Sequence, residues 1–269
     1  MHVSSRTGID TFQEIIMKLL KLMLIATLMI FSSLATADNL YQNAVNNPAR
    51  PAEDVKKDKL RDPAIALKFA GVKPGMQVFD FFTGGGYYAF LMSLVVGPEG
   101  HVIAHNPTKF YEIFKSVRAV VDKRKQNKLF SNVSWVDAQP DQLSAVPSNS
   151  QDLIMSHLVF HDAFWIGGEP GKTVAEFYRI LKPGGSAVII DHAAVIGTKD
   201  KSANSREGIH RVDENFVIGM FENAGFKLEA KSDAFRNPAD DRTQPFFSKE
   251  LRGKKTDRFM IKMKKPVHK

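Results

Sequence analysis

Short runs of apolar residues alternate along the chain with longer segments in which apolar positions recur at helical spacing. A short, uninterrupted apolar run is typical of a strand buried on both faces, whereas the longer amphipathic spacing is typical of a helix. We predict strands at 76–82, 101–105, 132–136, 152–156, 186–191, 226–233 and 258–264. We predict helices at 87–96, 107–128, 171–181 and 213–224.

The segments before and between these elements are rich in turn residues. Gly and Pro cluster after most of the predicted elements, where they interrupt regular structure. Before the first strand, residues 38–52 are predicted to be irregular. Residues 53–70 are predicted to be helical, with a break at Asp62-Pro63 and a C-terminal cap at Gly71.

Strands that alternate with helices form a parallel sheet with helices on both faces. The last two predicted strands have no helix between them, so we expect them to form an antiparallel hairpin at one edge. The predicted fold class is therefore α/β, with a doubly wound, mostly parallel, Rossmann-like sheet of seven strands. The chain has 269 residues, of which 43% are hydrophobic, and one domain over residues 38–269 is expected.

The N-terminal region has the three parts of a secretory signal. Lys18 and Lys21 precede an apolar run at 22–31, and Ala35 and Ala37 have the spacing of a cleavage site. The run is shorter than the roughly 20 apolar residues that span a bilayer.

We therefore predict a signal peptide over residues 1–37, with a buried N-terminal helix as the alternative. Met17 offers a second start, and we hypothesise that residues 1–16 are an over-called start. The mature chain is expected in the periplasm or outside the cell, and its contact with the membrane is expected only during export.

Composition excludes some classes of chemistry. Cysteine is absent, which excludes disulfides, thiolate nucleophiles and thiolate-bound metals. The net charge is +8, but the excess lies largely in one helix and the C-terminal tail, so solvated lysines are favoured over a nucleic-acid partner. No pattern in the chain specifies an oligomeric state.

The turn after the first predicted strand is the most informative stretch. Asp80 lies near the strand end, Gly84, Gly85 and Gly86 follow, and Tyr87 begins the next helix. In a doubly wound sheet this turn meets ligands, because glycines allow close approach and the helix N-terminus presents free N–H groups. Three interpretations of this pattern are open: a site for a dinucleotide, a site for an adenosylated amino acid, or a turn that binds no ligand. Asp80 favours the adenosylated amino acid, since it would repel a pyrophosphate and attract an ammonium group.

The order and spacing of several motifs resemble the class I S-adenosylmethionine (SAM) methyltransferase family. Asp80, Gly84 and Gly86 match the family motif acid-x-Gly-x-Gly-x-Gly, with Phe82 in place of the first glycine. The segment Leu-Lys-Pro-Gly-Gly at 181–185 matches the usual entry to the fifth strand.

The same resemblance assigns two further residues at the ends of strands. Asn106 stands near the acid that usually holds the ribose hydroxyls, and Asp137 matches the acid that receives the adenine amino group. The resemblance implies the class I fold and SAM as the cofactor. It implies a cofactor site made of Asp80, Gly84, Gly85, Gly86, Tyr87, Asn106 and Asp137.

Polar residues that follow the fourth and fifth predicted strands are candidates for the chemistry, because the acceptor approaches there in this fold. We expect His161 to be a general base oriented by Asp162, with His192 as a further catalytic residue. His210 and Arg211 are expected to bind the substrate.

Several of these residues also have structural interpretations. Asp213 is suited to cap the helix that follows it, and Asp191 is suited to accept hydrogen bonds from the backbone. A metal site from His161, Asp162, Asp191 and His192 is conceivable, but their spacing fits no short-range ligand pattern, so no metal is expected. The loop at 237–243 is interpreted as either a substrate lid or a solvated connection.

A narrower resemblance concerns motifs such as Gly-Gly-Gly-Tyr-Tyr, His161-Asp162 and Asp191-His192. They look like those of a group of predicted, exported bacterial methyltransferases. We expect SAM-dependent methyl transfer to a small-molecule or cell-envelope acceptor in the periplasm. The alternatives are a non-catalytic exported ligand-binding protein and an NAD(P)-dependent oxidoreductase.

Overall fold

A computed structural model of the chain describes residues 17–18, 39–203 and 207–267. The predicted signal peptide falls almost entirely on residues outside this set and stays a prediction. Among the described residues, no helix is both long enough and apolar enough to cross a membrane.

Seven strands form a sheet in the described part of the chain: β1 Gln77–Phe81, β2 His101–Asn106, β3 Val133–Asp137, β4 Gln151–His157, β5 Leu181–His192, β6 Lys227–Ser232 and β7 Arg258–Lys264. Their order across the sheet is β3-β2-β1-β4-β5-β7-β6. Strands β1 to β5 run parallel to one another, and β7 is antiparallel to both β5 and β6. The predicted fold class, with its antiparallel edge, is confirmed.

Helices precede and connect the strands: α1 Ala52–Val55, α2 Asp58–Arg61, α3 Pro63–Ala70, α4 Tyr87–Val96, α5 Thr108–Ile113, α6 Lys115–Lys125, α7 Pro170–Ile180 and α8 Glu214–Asn223. Short 3₁₀ segments cover Lys128–Phe130 and Phe160–Phe164. The predicted break at Asp62 separates α2 from α3, and Gly71 ends α3 in the left-handed conformation, as predicted.

The predicted helix at 107–128 is wrong in one respect, because it consists of two helices. The chain turns at Phe114, whose φ and ψ are −111° and 65°. Helix α5 buries Phe110 and Tyr111, and the amphipathic α6 buries Val121 and Arg124. The non-helical backbone of Phe114 therefore divides the predicted helix into two shorter ones.

The predicted irregular lead-in at 38–52 is also wrong in part, because residues 39–45 are helical. Tyr41 and Ala44 from this segment are buried. The hydroxyl of Tyr41 donates to the carbonyl of Val72 at 3.0 Å. Burial of one face therefore stabilises a helix in a segment whose composition favours loops.

Strand β5 begins earlier than predicted, because the Lys-Pro-Gly-Gly segment lies within it. Leu181 pairs with Gln151 and Ser186 pairs with Leu153 in β4. Residues 182–185 therefore bulge out of the ladder rather than forming a turn ahead of the strand.

Apolar side chains fill both faces of the sheet. In β1, Phe79 and Phe81 point to one face and Val78 to the other, which is the alternation that a strand imposes. The first face is aromatic, with the rings of Phe81 and Phe177 4.9 Å apart and those of Phe177 and Phe221 6.2 Å apart. The second face packs against α4, which is buried along almost its whole length. This burial holds the turn between β1 and α4 in place.

The N-terminal helices are attached to the rest of the domain by buried charge pairs. The guanidinium of Arg124 in α6 contacts the Asp54 carboxylate at 2.5 Å, and both side chains are buried. Arg50 pairs with Asp58 at 2.7 Å, and Asp58 also accepts the hydroxyl of Tyr87 at 2.5 Å. These contacts hold α1 against α6 and α2 against the start of α4.

Replacing Arg124 by Met is expected to lower the free energy of unfolding by about 3 kcal/mol, because the Asp54 carboxylate would remain buried with only Lys57 beside it. The control is Lys172→Met, which removes an exposed pair with Glu169 and should leave stability unchanged. Urea unfolding of the two variants measures the difference. Equal stability of both variants would contradict the attachment of the N-terminal helices through Asp54.

Candidate functional site

The turn between β1 and α4 contains two glycines in the left-handed region, Gly84 with φ 57° and Gly86 with φ 89°. A Cβ atom at Gly86 would lie 2.8 Å from the Trp135 ring, so packing requires a glycine there. A Cβ atom at Gly84 would meet no atom within 4 Å. The space beside Gly84 is therefore open to a ligand.

Asp80 lies under this turn and is buried. Its Oδ2 accepts a hydrogen bond from the Thr83 hydroxyl at 2.5 Å. Burial raises the pKa of Asp80 to about 7, in spite of the hydrogen bond from Thr83. A cation placed beside this carboxyl group would therefore favour its ionised form near neutral pH.

A cavity of about 160 Å³ opens beside the turn, and we call it the glycine-turn cavity. Its lining includes Arg61, Asp80, Phe82, Gly84, Tyr88 and His157. Two of these residues present buried polar atoms without hydrogen-bond partners in the described part of the chain, namely the Tyr88 hydroxyl and both ring nitrogens of His157. Unpaired buried polar atoms are costly, so this lining favours a polar ligand.

Phe82 forms one wall of the glycine-turn cavity at the position of the missing first glycine. Its φ is 50°, a left-handed conformation that is uncommon for a bulky residue. Its ring stacks on Phe81 at 4.3 Å and packs near Phe110 at 6.1 Å. The ring therefore narrows the cavity without filling it.

Tyr87 lies beside the turn at the start of α4 and also lines the cavity. Its hydroxyl donates to Asp58, and the guanidinium of Arg61 lies 4.7 Å from its ring centre. Both the ring and the hydroxyl are therefore contacted by protein groups, and the role of Tyr87 toward the cofactor stays a prediction.

Asn106, predicted to bind the ribose, contacts the glycine turn. Its Oδ1 accepts from the Gly84 N–H at 3.0 Å, and its Nδ2 donates to the Gly84 carbonyl at 2.9 Å and to the Tyr111 hydroxyl at 3.1 Å. The side chain is fully buried. Asn106 therefore holds the glycine turn in shape with both of its N–H donors in use, and its role toward a ribose stays a prediction.

Asp137 lies at the end of β3, at the place predicted for adenine recognition. Its Oδ1 accepts from the Tyr111 hydroxyl at 2.9 Å, and Arg118 lies 3.3 Å from its Oδ2. Asp137 is the most exposed residue of β3, so its carboxylate remains accessible to solvent. Its role toward adenine stays a prediction.

The polar residues after β4 and β5 form a buried cluster. His161 donates through Nδ1 to Asp191 Oδ1 at 2.8 Å, and its Nε2 lies 3.4 Å from Asp162 Oδ1. Burial lowers the pKa of His161, but the charges of Asp191 and Asp162 outweigh that effect and raise it to about 9. The orienting residue is therefore Asp191 rather than Asp162. A raised pKa favours the protonated ring, which cannot accept a proton, and the role of His161 as the general base stays a prediction.

His192 is the neutral imidazole of the cluster. Burial lowers its pKa well below the ordinary value, and the charge of His161 lowers it further. Its Nδ1 contacts the Thr256 hydroxyl at 2.6 Å, and its ring stacks on Phe246 at 4.3 Å and 6°. A neutral imidazole at neutral pH has a lone pair that can accept a proton.

His192 lines a second cavity of about 390 Å³, which we call the aromatic cavity. Its walls include Leu158, Phe246, Phe247 and Arg258, and it shares Arg61 with the glycine-turn cavity. The two cavities therefore adjoin at the loop after β4. Phe246, Arg258 and Arg61 have no local sequence signal that marks them as site residues.

Arg211, predicted to bind the substrate, makes its contacts inside the protein. The guanidinium is fully buried and pairs with both oxygens of Asp240 at 2.9 and 3.1 Å. Its other nitrogens donate to the carbonyls of Gln244 and Ala193. Arg211 therefore anchors the predicted lid loop with four of its five N–H donors, and its role toward a substrate stays a prediction.

His210 lies in the polar cluster, with Nδ1 3.7 Å from Asp162 Oδ1. Its ring packs edge-on against Phe247 at 5.3 Å, which places it next to the aromatic cavity. Its role in binding stays a prediction. Asp213 accepts the N–H of Asn215 at 2.9 Å and caps α8, as its structural interpretation predicts.

One group in the described part of the chain has donor atoms close enough to hold a metal ion. Ligand atoms of His161, Asp162 and His210 lie within 4.8 Å of one another, and imidazole with carboxylate suits zinc or manganese. The protonated ring of His161 already supplies a cation between Asp191 and Asp162. The expectation of no resident metal stays a prediction.

Replacing Asn106 by Ala is expected to lower the free energy of unfolding by about 1–3 kcal/mol, because the Gly84 N–H and carbonyl would lose their partners. The control is Asn223→Ala, an exposed position in α8, which should cause no such loss. Urea unfolding measures both variants. A fully stable Asn106→Ala protein would contradict the holding role of this side chain.

Stability is expected to depend on the pH through His161. A pKa raised from 6.5 to about 9 on folding stabilises the native state below pH 6.5, and this contribution is lost as the pH rises toward 9. The difference in unfolding free energy between the unmodified protein and His161→Gln should therefore shrink over this window, by at most about 1.4 kcal/mol per pH unit. Urea unfolding at several pH values measures it. A difference independent of pH would show that folding does not raise the pKa of His161.

Part of the chain is similar to known methyltransferases. Residues 84–189 match the family described as a methyltransferase domain. The chain is 27% identical over 125 residues to the arsenite methyltransferase of Halobacterium salinarum, covering 46% of this chain and 29% of that protein. It is 30% identical over 130 residues to the ubiquinone/menaquinone biosynthesis C-methyltransferase UbiE of Shewanella piezotolerans, covering 47% of each. The chain thus spans less than half the length of these curated relatives.

Solved structures share the fold at low sequence identity. A SAM-dependent methyltransferase from Aquifex aeolicus superposes with a TM-score of 0.57 at 22% identity, covering 80% of this chain and 98% of that one. The [4+2]-cyclase SpnF superposes with a TM-score of 0.58 at 15% identity, covering 83% of this chain and 86% of that one. The prediction of a class I methyltransferase fold is confirmed. Residues 84–189 are therefore similar to the methyltransferase domain family, and this similarity implies S-adenosylmethionine as the cofactor.

Proposed function

We propose that the protein transfers a methyl group from SAM to a small-molecule or cell-envelope acceptor in the periplasm. The observation that carries this proposal is the pair of adjoining cavities. The glycine-turn cavity lies beside the turn that the sequence resemblance assigns to the cofactor, and the aromatic cavity presents the neutral imidazole of His192. SAM, when bound, supplies an electrophilic methyl group, and the protein aligns the acceptor with it.

The chemistry of the glycine-turn cavity fits the amino-acid end of SAM. The Asp80 carboxyl group is a partner for its ammonium group. Arg61 and Lys57 line the same cavity and supply positive charge for its carboxylate. The unpaired Tyr88 hydroxyl adds a hydrogen-bonding group.

The adenosine part of SAM would fit beside the glycine turn only if a neighbouring element moved. Ligand cavities usually enclose about 300–1,000 Å³, whereas the glycine-turn cavity encloses about 160 Å³. Phe110 from α5 lines that cavity, and Tyr111 covers Asn106 on the way to Asp137. We propose that α5 moves outward when SAM binds and gives adenine access to Asp137.

His192 is the residue that we propose as the general base. It is neutral, it lines the aromatic cavity, and Thr256 holds its Nδ1. His161 and Asp191 act behind it as positioning residues, because Asp191 also accepts the backbone N–H of His192 at 2.7 Å.

Export and the acceptor are parts of the same proposal. The signal pattern at 1–37 supports a periplasmic location, and SAM would have to reach it there. Among the acceptors named for relatives, arsenite is disfavoured, since the chain has no cysteine to supply soft thiolate ligands. An organic acceptor suits the apolar walls of the aromatic cavity.

A non-catalytic exported binding protein is the second candidate. Asn106 is occupied inside the protein and the glycine-turn cavity is small, and both features favour a ligand smaller than SAM. The [4+2]-cyclase SpnF shares the fold, so the fold by itself does not require methyl transfer.

Titration with S-adenosylhomocysteine, which shares the amino-acid and adenosine groups of SAM, tests the proposal. Calorimetry should show binding that weakens by about 1–2 kcal/mol in Asp80→Asn and remains unchanged in the exposed control Asp233→Asn. Because the pKa of Asp80 is about 7, binding should also weaken as the pH falls from 8 to 6, and Asp80→Asn should lose this dependence. Absence of binding at millimolar ligand would favour the binding-protein candidate.

A further inference from the structure

We infer that the acceptor is an apolar acid, a small molecule whose apolar body fills the aromatic cavity and whose anionic group meets Arg258. This inference deepens the proposed function, because it names the class of substrate for the same site. It is carried by the composition of the cavity wall and by the contacts of one buried arginine.

The walls of the aromatic cavity are apolar over most of their area. Five large apolar side chains contribute to them, namely Leu60, Leu158, Phe246, Phe247 and Leu251. Such a surface favours a ligand that transfers apolar area out of water. Phe247 is half exposed at the edge of the cavity, which is consistent with an entrance for an apolar ligand.

The charged residues of the same wall are all basic. Arg61, Arg252, Lys254 and Arg258 line the cavity, and no Asp or Glu does so. The potential inside a cavity with one sign of charge and apolar walls attracts a ligand of the opposite sign. An anionic group on the ligand is therefore favoured over a neutral or cationic one.

Arg258 differs from the other buried arginines. Arg50, Arg124 and Arg211 each contact a carboxylate within 2.9 Å. Arg258 is only 4% exposed, yet no ion pair joins it to a carboxylate within residues 39–203 and 207–267. Arg258 is therefore a buried cation that lies beside a cavity and, unlike the other three buried arginines, has no carboxylate partner among the described residues.

The contacts of Arg258 leave part of its guanidinium for a ligand. Its Nε donates to the Thr256 hydroxyl at 3.2 Å, and its Nη1 donates to the Leu60 carbonyl at 2.5 Å. Neither partner carries a charge. Burial lowers the pKa of Arg258 and the charge of Arg61 lowers it further, and these effects outweigh the opposite effect of the Asp62 and Asp191 charges, neither of which forms an ion pair with Arg258 among the described residues. A bound carboxylate or phosphate would offset the cost of this buried charge.

The position of Arg258 relative to the proposed base supports the same class of ligand. Arg258 pairs across the sheet with His192, since the two residues are opposite one another in β7 and β5, and Thr256 contacts both side chains. A ligand whose anion meets Arg258 would therefore place its apolar body beside the His192 ring. A hydroxyl or amine on that body would be within the same cavity as the imidazole.

Three probes test this inference on the mature chain by calorimetry: 2-naphthoate, the neutral 2-naphthamide and acetate. We expect 2-naphthoate to bind at least about tenfold more tightly than 2-naphthamide, because a charged hydrogen bond to Arg258 is lost in the amide. We expect acetate to bind at least about tenfold more weakly than 2-naphthoate, since it lacks the apolar body.

Arg258→Gln should weaken 2-naphthoate binding at least about tenfold and leave 2-naphthamide unchanged. Arg252→Gln, on the exposed edge of the cavity, should weaken 2-naphthoate about two- to fivefold and cannot be confused with misfolding of the core. The control is Lys249→Gln, which makes the same charge change outside the cavity lining and should have no effect.

Equal affinity for 2-naphthoate and 2-naphthamide would overturn the inference, as would unchanged 2-naphthoate binding in both Arg258→Gln and Arg252→Gln. Equal affinity for acetate and 2-naphthoate would overturn the inference that the ligand has an apolar body. A failure of the proposed function can be distinguished from a failure of this inference. In the first case S-adenosylhomocysteine would not bind, but 2-naphthoate would still bind more tightly than 2-naphthamide.

Discussion

The buried carboxylate of Asp191 is the contact on which the arrangement of the site depends. Its Oδ1 accepts from the His161 ring and from the His192 N–H, and its Oδ2 accepts from the His161 N–H, at 2.7–2.8 Å. These bonds join the segment after β4 to the end of β5, so a charge with no exposure to solvent is fully hydrogen-bonded. Its negative charge keeps His161 protonated, and His192 remains neutral beside that cation. The charge of Asp191 thereby favours the protonated form of His161, whereas burial first, and then the charge of His161, favours the neutral form of His192.

The two cavities beside this cluster differ in their charged residues. The glycine-turn cavity has Asp80 as its buried acid together with the basic residues Lys57 and Arg61, whereas the charged residues that line the aromatic cavity are all basic. The glycine-turn cavity therefore offers partners for both the ammonium and the carboxylate of an amino acid, whereas the aromatic cavity favours an anionic group. This difference supports two different ligands in the two cavities, which share Arg61.

The glycine turn is held in shape by the protein itself. Asn106 bonds to both the N–H and the carbonyl of Gly84, and the Phe82 ring stacks on its neighbour Phe81. The turn therefore needs no ligand to keep its conformation. The same contacts reduce the space for adenosine, so ligand size at this site depends on the position of α5 rather than on the turn. A preformed turn with an adjustable cover is consistent with a site that closes around its ligand.

The sequence by itself determined the elements and their order, because the apolar periodicity and the turn residues are local properties of the chain. The α4 helix, the Asp213 cap and the antiparallel edge were all predictable for this reason. The sequence also identified Asp80 and the glycine turn as a candidate ligand site, because the charge of a carboxylate and the conformational freedom of glycine are properties of the residues themselves. Tertiary structure decided the partners of the polar side chains: Asn106 and Arg211 turned inward because Gly84 and Asp240 lie beside them in space but far away in sequence. The protonation of the histidines was decided in the same way, since burial and neighbouring charge exist only in the folded chain.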